Sequence, residues 1–351
     1  MRVTKPIRTG SVDLANVLAR RGYVGEAKQI QKADAERRAN AKNILDPNDL
    51  QGGYDAARLL YTTLGGQIRP ITAEDLRAFT ANAVKLGKRF KGGITAQGVI
   101  DHSLQEDRDR ANFQIRSAVL ARAQAGKLHF ITNAGLDSDV NRHHVFVEFP
   151  AYKSYAAFPG DSKKLAKAML DSPLKFECDC GRFTFWYRYL ATKGGFVHGR
   201  PETGFPKIRN PKLVGVACKH SLRVMLAVRN DMIVRIKVAE MIAAAQRNDH
   251  KALVTTKAEA QQHAEKQLAQ EHHLKNRLET SVQAAARKGA PPAVRKRVMV
   301  QVTKDLRRKD QEQPAKDRDI QTAIRKIATT ALTRAERDDL IALLKAKKTT
   351  D

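Results

Sequence analysis

All twenty aromatic residues of this 351-residue chain lie at or before Phe205, and only Gly215 and Gly289 among its glycines lie beyond that point. Aromatic side chains supply much of the buried area in a globular core, so a thick core is expected within the first 230 residues. From Asp231 onward the chain is rich in Ala, Lys, Arg, Gln and Glu, which favour helix. Val234, Val238, Met241, Ile242 and Ala245 recur at the spacing of one helical face. Leu274, Leu278 and Val282 extend a thin apolar stripe near Gln261, Gln262, Lys266 and Gln267. Such a stripe suits an extended helix or coiled coil better than a helix sunk in a globule. Gly289 and Pro291-Pro292 should stop that helix. A further helix is expected from Ala293 to about Lys309. The last should follow the capping box Thr333-Arg334-Ala335-Glu336, ahead of Leu340, Ile341, Leu343 and Leu344.

Toward the amino end, Leu76, Phe79, Ala83, Leu86 and Phe90 behind Thr72 predict a capped helix. Ile100, Leu104, Ala111, Ile115 and Ala118 give a second stripe. Glycine pairs at 52–53, 65–66 and 92–93 read as turns and helix ends. Between Leu128 and Leu226 the pattern turns to strands. Leu128 to Ile131, Val145 to Phe149, Leu174 to Cys178 and Phe183 to Tyr187 are β-branched or aromatic runs, and a short helix is expected from Ser162 to Leu170. The architecture is therefore mostly α with a central α+β domain. Residues 1–125 form a helical N-terminal region, 126–230 the α+β domain, 231–290 a long helix and 291–351 hinged basic helices.

Lys and Arg outnumber Asp and Glu by 64 to 37, a formal charge of +27. Residues 231–351 carry 26 basic and 16 acidic side chains, leaving +17 for residues 1–230, so the excess is spread along the chain. A polyanion partner is the usual reading of such an excess; solubility or an acidic protein neighbour is the plainer one. Arg295, Lys296, Arg297, Arg307, Arg308 and Lys309 form the densest basic stretch. They suit non-specific phosphate contact and a solvated helix face equally. No segment approaches the roughly 18 apolar residues that span a bilayer, and the first residues lead into no apolar run resembling a secretion signal.

Three cysteines cannot all pair, which argues against a disulfide framework. They read Cys178-Asp179-Cys180 and, after a Gly- and Pro-rich stretch, Cys218-Lys219-His220. Three thiolates and an imidazole make the closed tetrahedral donor set that zinc prefers. Cys178 and Cys180 can aim both sulfurs at one ion from a strand end, while Cys218 and His220 open a helix expected from Ser221 to Val228. The helix amino end favours thiolate charge, and Arg182, Lys219 and Arg223 stand close in sequence to offset the negative charge of the centre. The plainer alternative is two unrelated buried thiol groups and a surface histidine.

Cys178-Asp179-Cys180-Gly181-Arg182-Phe183-Thr184-Phe185, followed by Cys218-Lys219-His220, resembles the SWIM zinc finger over residues 174–228. That resemblance implies Cys-x-Cys on a β-hairpin and Cys-x-His opening a helix, with a structural zinc ion on Cys178, Cys180, Cys218 and His220. The string Arg209-Asn210-Pro211-Lys212-Leu213-Val214-Gly215-Val216-Ala217-Cys218-Lys219-His220 is similar to SWIM-type modules of tailed-phage virion proteins. Long basic helices beside such a module also resemble phage internal and ejection proteins. The resemblance implies a homo-oligomeric ring or tube at the portal or along the ejection path. The chain would be made in the host cytoplasm, carried in the virion beside other virion proteins and delivered into the host envelope during ejection, with non-specific DNA as a further partner.

Other groups rank lower. His272-His273 on a polar helix reads as a solvated face, and His143-His144 at a strand start as ordinary packing. Glu106-Asp107-Arg108-Asp109-Arg110 alternates in sign and reads as intrahelical ion pairing. Trp186, Tyr187 and Tyr189 read as core residues of a strand rather than as base-stacking platforms. The sequence holds no zinc-protease motif, nucleophile elbow or phosphate loop, so the expected role is non-enzymatic. A soluble nucleic-acid-binding regulator is the alternative.

Overall fold

The computed structural model describes residues 11–20, 22–39, 61–135, 138, 140–270 and 277–289. The chain divides into two units between Gly289 and Ala290, and every described residue belongs to the first. The helices expected within 291–351, the basic stretch Arg295 to Lys309, Leu274 and His272-His273 lie outside the described residues.

Helices α1 (Ser11–Ala19) and α2 (Tyr23–Ala39) come first, followed by the small pair β1 (Tyr61–Thr62) and β2 (Arg69–Pro70). Helix α3 (Ala73–Arg89) begins at the expected cap: Asp75 N–H donates to the Thr72 hydroxyl, and Thr72 N–H donates to the Asp75 carboxylate. The second predicted stripe is not one helix. α4 (Ala96–His102) stops at Ser103, α5 (Gln105–Gln114) restarts at once, and Ala118 opens a strand. Ile100, Ala111, Ile115 and Ala118 are all buried, so the helical spacing recorded burial on three different elements.

The centre is an antiparallel sheet in the order β6-β5-β4-β3-β7. Its strands are β3 (Ala118–Gln124), β4 (Lys127–Asn133), β5 (Arg142–Glu148), β6 (Lys175–Cys178) and β7 (Leu253–Val254). The sheet therefore starts before residue 126: β3 and β4 form a hairpin around Ala125-Gly126, both at positive φ. Between β5 and β6 stand α6 (Tyr152–Ala157) and α7 (Ser162–Leu170), the latter with the predicted bounds and an Asp161 cap.

Strand alternation sends Leu120, Leu128, Phe130, Val145, Val147 and Phe176 into one large core, together with helices α9 (Lys219–Asn230) and α10 (Met232–Gln246). Val119, Ala121 and Ile131 point to the opposite face and pack with Ala15, Leu18, Ala260, Ala264 and Leu268, from α1 and α11 (Lys257–Ala269). With both faces covered, β4 is buried along nearly its whole length.

Two expectations fail here. The run Phe183 to Tyr187 is a π-helical turn leading directly into α8 (Arg188–Lys193), not a strand. Phe183 and Tyr187, about one turn apart, are fully buried, while Phe185 and Trp186 between them are half-buried. Residues 231–289 are not one long helix either, but α10, β7, α11 and α12 (Ser281–Gly289) with breaks between them. Val234, Val238, Met241, Ile242 and Ala245 are buried as their spacing requires, and so is Leu278, whereas Val282 is 78% exposed. Among the described residues, no helix is long and apolar enough to cross a membrane.

Candidate metal centre

Strand β6 ends on Cys178, held opposite Val145 of β5. The chain turns at Asp179, and the helical segment that follows directs the Phe183 N–H at the Cys180 sulfur, 3.4 Å away. On the other side Cys218 is the cap residue of α9, and its carbonyl accepts the Leu222 N–H at 3.0 Å. His220 sits in the first turn of that helix. The donor atoms of Cys178, Cys180, Cys218 and His220 all lie within 4.8 Å of one another, and all four residues are buried. His220 Nδ1 is 3.9 Å from Cys178 Sγ, and His220 Nε2 is buried without a hydrogen-bond partner. A tetrahedral zinc with bonds of about 2.3 Å to sulfur and 2.0–2.1 Å to nitrogen sets its ligands roughly 3.5–3.8 Å apart. The cluster therefore needs only a small contraction to hold an ion of that size.

The four groups share their protons unequally. Burial, followed by the hydrogen bonds it gives to Cys180 and Cys218, pushes the Cys178 thiol well above its ordinary pKa. The bond that Cys180 receives from Cys178 favours its thiolate, but the bond it gives to Cys218 and its burial outweigh that, so it too is raised. Burial also opposes a charge on Cys218. The bonds from Cys178, Cys180 and His220 prevail, however, and hold it well below the usual thiol range. Burial, then the charge of His143, lowers His220 to about 4, leaving the neutral imidazole that a metal requires near pH 7. A metal entering this set displaces thiol protons, so its affinity falls as pH falls.

A second layer of polar groups surrounds the donors, and sequence reasoning had assigned most of it elsewhere. Asp179, between the first two cysteines, accepts His143 Nδ1 at 2.6 Å and the His144 N–H at 2.9 Å. The His143 ring packs on His220 at 4.2 Å between centroids. His143 is thus a support for the imidazole donor rather than ordinary packing. Its neighbour faces the other way, as strand alternation requires, and His144 Nδ1 meets His129 Nε2 at 3.0 Å. The alternating cluster on α5 is also more than intrahelical pairing. Arg110 does pair with Glu106, but Asp107 is fully buried and accepts from Arg182 Nε at 2.6 Å and from the Tyr187 hydroxyl. Burial raises the Asp107 pKa in spite of Arg182.

The cations expected to balance the thiolates are engaged elsewhere. Arg182 binds Asp107, and its guanidinium lies 3.9 Å from the centre of the Trp186 ring. Lys219 Nζ donates to Gln114 Oε1 at 2.6 Å and Arg223 to the Ala111 carbonyl at 3.0 Å. The helix that opens at Cys218 matches what the SWIM resemblance implies, but Cys178-Asp179-Cys180 joins a strand to a helix rather than forming a hairpin. No family model, curated protein or solved structure matches the chain.

Proposed function

We propose that this chain is a non-enzymatic structural protein whose core is stapled by one zinc ion on Cys178, Cys180, Cys218 and His220. The observation that carries the reading is that all four donors come from the protein and all four are buried. A four-ligand site keeps no open position for water or substrate, so its ion stabilises a fold instead of activating a nucleophile. The donor chemistry, three sulfurs and one imidazole, favours zinc over hard cations such as magnesium and calcium. The staple would join the end of β6 to the start of α9, two points forty residues apart in the chain, and α9 packs against α4, α5 and four strands of the sheet. Element analysis of the purified chain tests this: about one zinc per chain is expected, and a metal-free folded chain would reject it.

For the setting we propose a tailed-phage particle, with the chain as an internal or ejection protein assembled in a ring or tube at the portal or along the DNA path. The support is the likeness of residues 209–220 to virion modules and the +27 charge, which suits a compartment packed with DNA. Mass spectrometry of purified particles is the test, since absence from the virion would reject this setting while leaving the zinc reading intact. The broad positive charge also favours a second reading, a soluble nucleic-acid-binding regulator. That reading expects a mobility shift that weakens steeply as salt rises, and no shift at low salt would remove it.

A further inference from the structure

The helical hairpin of α6 and α7 takes no part in the staple. Both helices pack on α10, and Tyr152, Ala166, Met169 and Leu170 are buried in the large core. Helical spacing leaves Lys153, Lys163, Lys164 and Lys167 exposed on the other side. At the tip of the hairpin stands Phe158, 61% exposed. Among the described residues it is the only aromatic side chain left exposed.

The backbone of that tip is braced on both sides. The Phe158 N–H closes α6 on the Ser154 carbonyl at 3.1 Å. Gln246, at the end of α10, donates to the Phe158 carbonyl at 3.1 Å and to the Gly160 carbonyl at 3.4 Å. The same contact sets the exposed loop that carries Arg247 and Lys251 beside the tip. The ring is therefore presented on a fixed backbone, and a partner that covers it orders little chain on binding.

Charge on this surface is one-sided. Residues 151–171 and 246–251 hold six Lys and Arg side chains against Asp161, Asp171 and Asp249. Asp161 and Asp249 turn back on their own backbones, accepting the Lys163 N–H at 2.9 Å and the Lys251 N–H at 3.1 Å. None of the six basic side chains has an ion pair or a side-chain hydrogen bond among the described residues.

We infer that this surface binds single-stranded nucleic acid, with one base stacked on the Phe158 ring and the flanking phosphates against Lys153, Lys163, Lys164, Lys167 and Arg247. An exposed aromatic ring among basic side chains is the combination that holds a single strand: the ring accepts any base, and the cations follow the backbone. A duplex keeps its bases stacked and gives the ring no free base face. An anionic membrane would meet the lysines, but it needs a broad apolar face to insert. The apolar faces of α6 and α7 are already buried in the core. The inference gives the nucleic-acid reading above a definite surface, and it rests on that reading.

The test is fluorescence anisotropy of the full chain, as purified with its metal, on a labelled oligothymidylate of about twelve nucleotides. A duplex of the same length and phosphatidylserine vesicles are the comparisons. The strand should bind at low salt, more tightly than the duplex. Phe158→Ala should weaken that binding by about tenfold. Lys163→Gln, Lys164→Gln and Lys167→Gln combined should lower the slope of log affinity against log salt by about 2. Lys85→Gln, Lys88→Gln and Lys91→Gln combined, at the end of α3, should change it little. All these side chains are exposed, and thermal melts confirm that the variants fold. Irradiation of an iodouracil-substituted strand should crosslink Phe158, located by mass spectrometry. Unchanged affinity in Phe158→Ala, equal losses in the two triple variants, or crosslinks only elsewhere would overturn the inference and leave the nucleic-acid reading standing. A duplex bound as tightly as the strand overturns it too, as does vesicle binding that depends on Phe158 when strand binding does not. No binding of any oligonucleotide at low salt removes both.

Discussion

The two faces of the central sheet are held by different means. One face buries large side chains, Phe130, Phe149, Phe176 and Phe183 among them, and its rim carries the four buried donor groups. The other is packed with small residues, Ala15, Ala19, Ala121, Ala260 and Ala264. There polar groups fasten the covering helices: His263 and Gln267 of α11 bond to Asp231 at the α9–α10 junction, and Arg142 reaches the Val17 and Arg20 carbonyls at the end of α1. Small side chains let helix and strand approach closely but contribute little apolar area. Hydrogen bonds to otherwise buried groups then decide whether the helices stay in place. The first face should therefore depend on volume and metal, the second on polar pairing and pH.

Breaking the staple should have the largest effect. Cys218→Ser removes one sulfur donor and should abolish metal binding, with loss of cooperative folding, because structural zinc contributes on the order of 10 kcal/mol in isolated fingers. Metal content and thermal unfolding together check it. Next comes volume on the same face. Phe130→Ala should lower stability by about 3–5 kcal/mol in denaturant unfolding, with Leu18→Ala on the small-residue face at about 2–5 kcal/mol.

The polar fastening comes third. Gln267→Ala strands the Ser117 hydroxyl and the Ala118 backbone and should destabilise by about 1–3 kcal/mol. Hydrogen exchange should rise first in α11 and β3, with α4 and α5 unaffected. If exchange rises equally on both faces, the division between them is wrong.

A pH slope should also belong to the second face. Burial, then the neighbouring His144, lowers His129 to about 3 from an ordinary 6.5. The unfolded chain therefore takes up this proton before the folded one does. Stability contributed by the neutral ring is complete above about pH 6.5 and is lost as pH falls toward 3. Thermal melts across that window should show the midpoint fall, and His129→Phe, set between Tyr23 and Phe146, should flatten the slope.

The sequence carried most of what repeats with a period. The α3 stripe, α7, the buried face of α10 and three strand runs were legible because apolar spacing reflects burial directly. The same signal misled where burial came from more than one element, as in the stripe that α4, α5 and β3 divide among them. It failed for Phe183 to Tyr187 because a short aromatic run reads alike in a strand and in a helix. The donor set was legible because ligand chemistry restricts residue type and spacing at once. Its support was not: His143 reaches the His220 ring only through pairing across the fold. The one sequence hint was Asp179, fixed between two sulfurs, where a carboxylate has no role as a fourth or fifth donor and must face something else.

Titration of cobalt into the metal-stripped full chain, followed by its visible absorption, tests the staple most directly. The expected result is a saturable tetrahedral spectrum with sulfur-to-metal charge transfer, complete at about one ion per chain and displaced by zinc. It should be accompanied by the return of cooperative unfolding. A stripped chain that melts as cooperatively as before, and gives no such spectrum with cobalt, would contradict it.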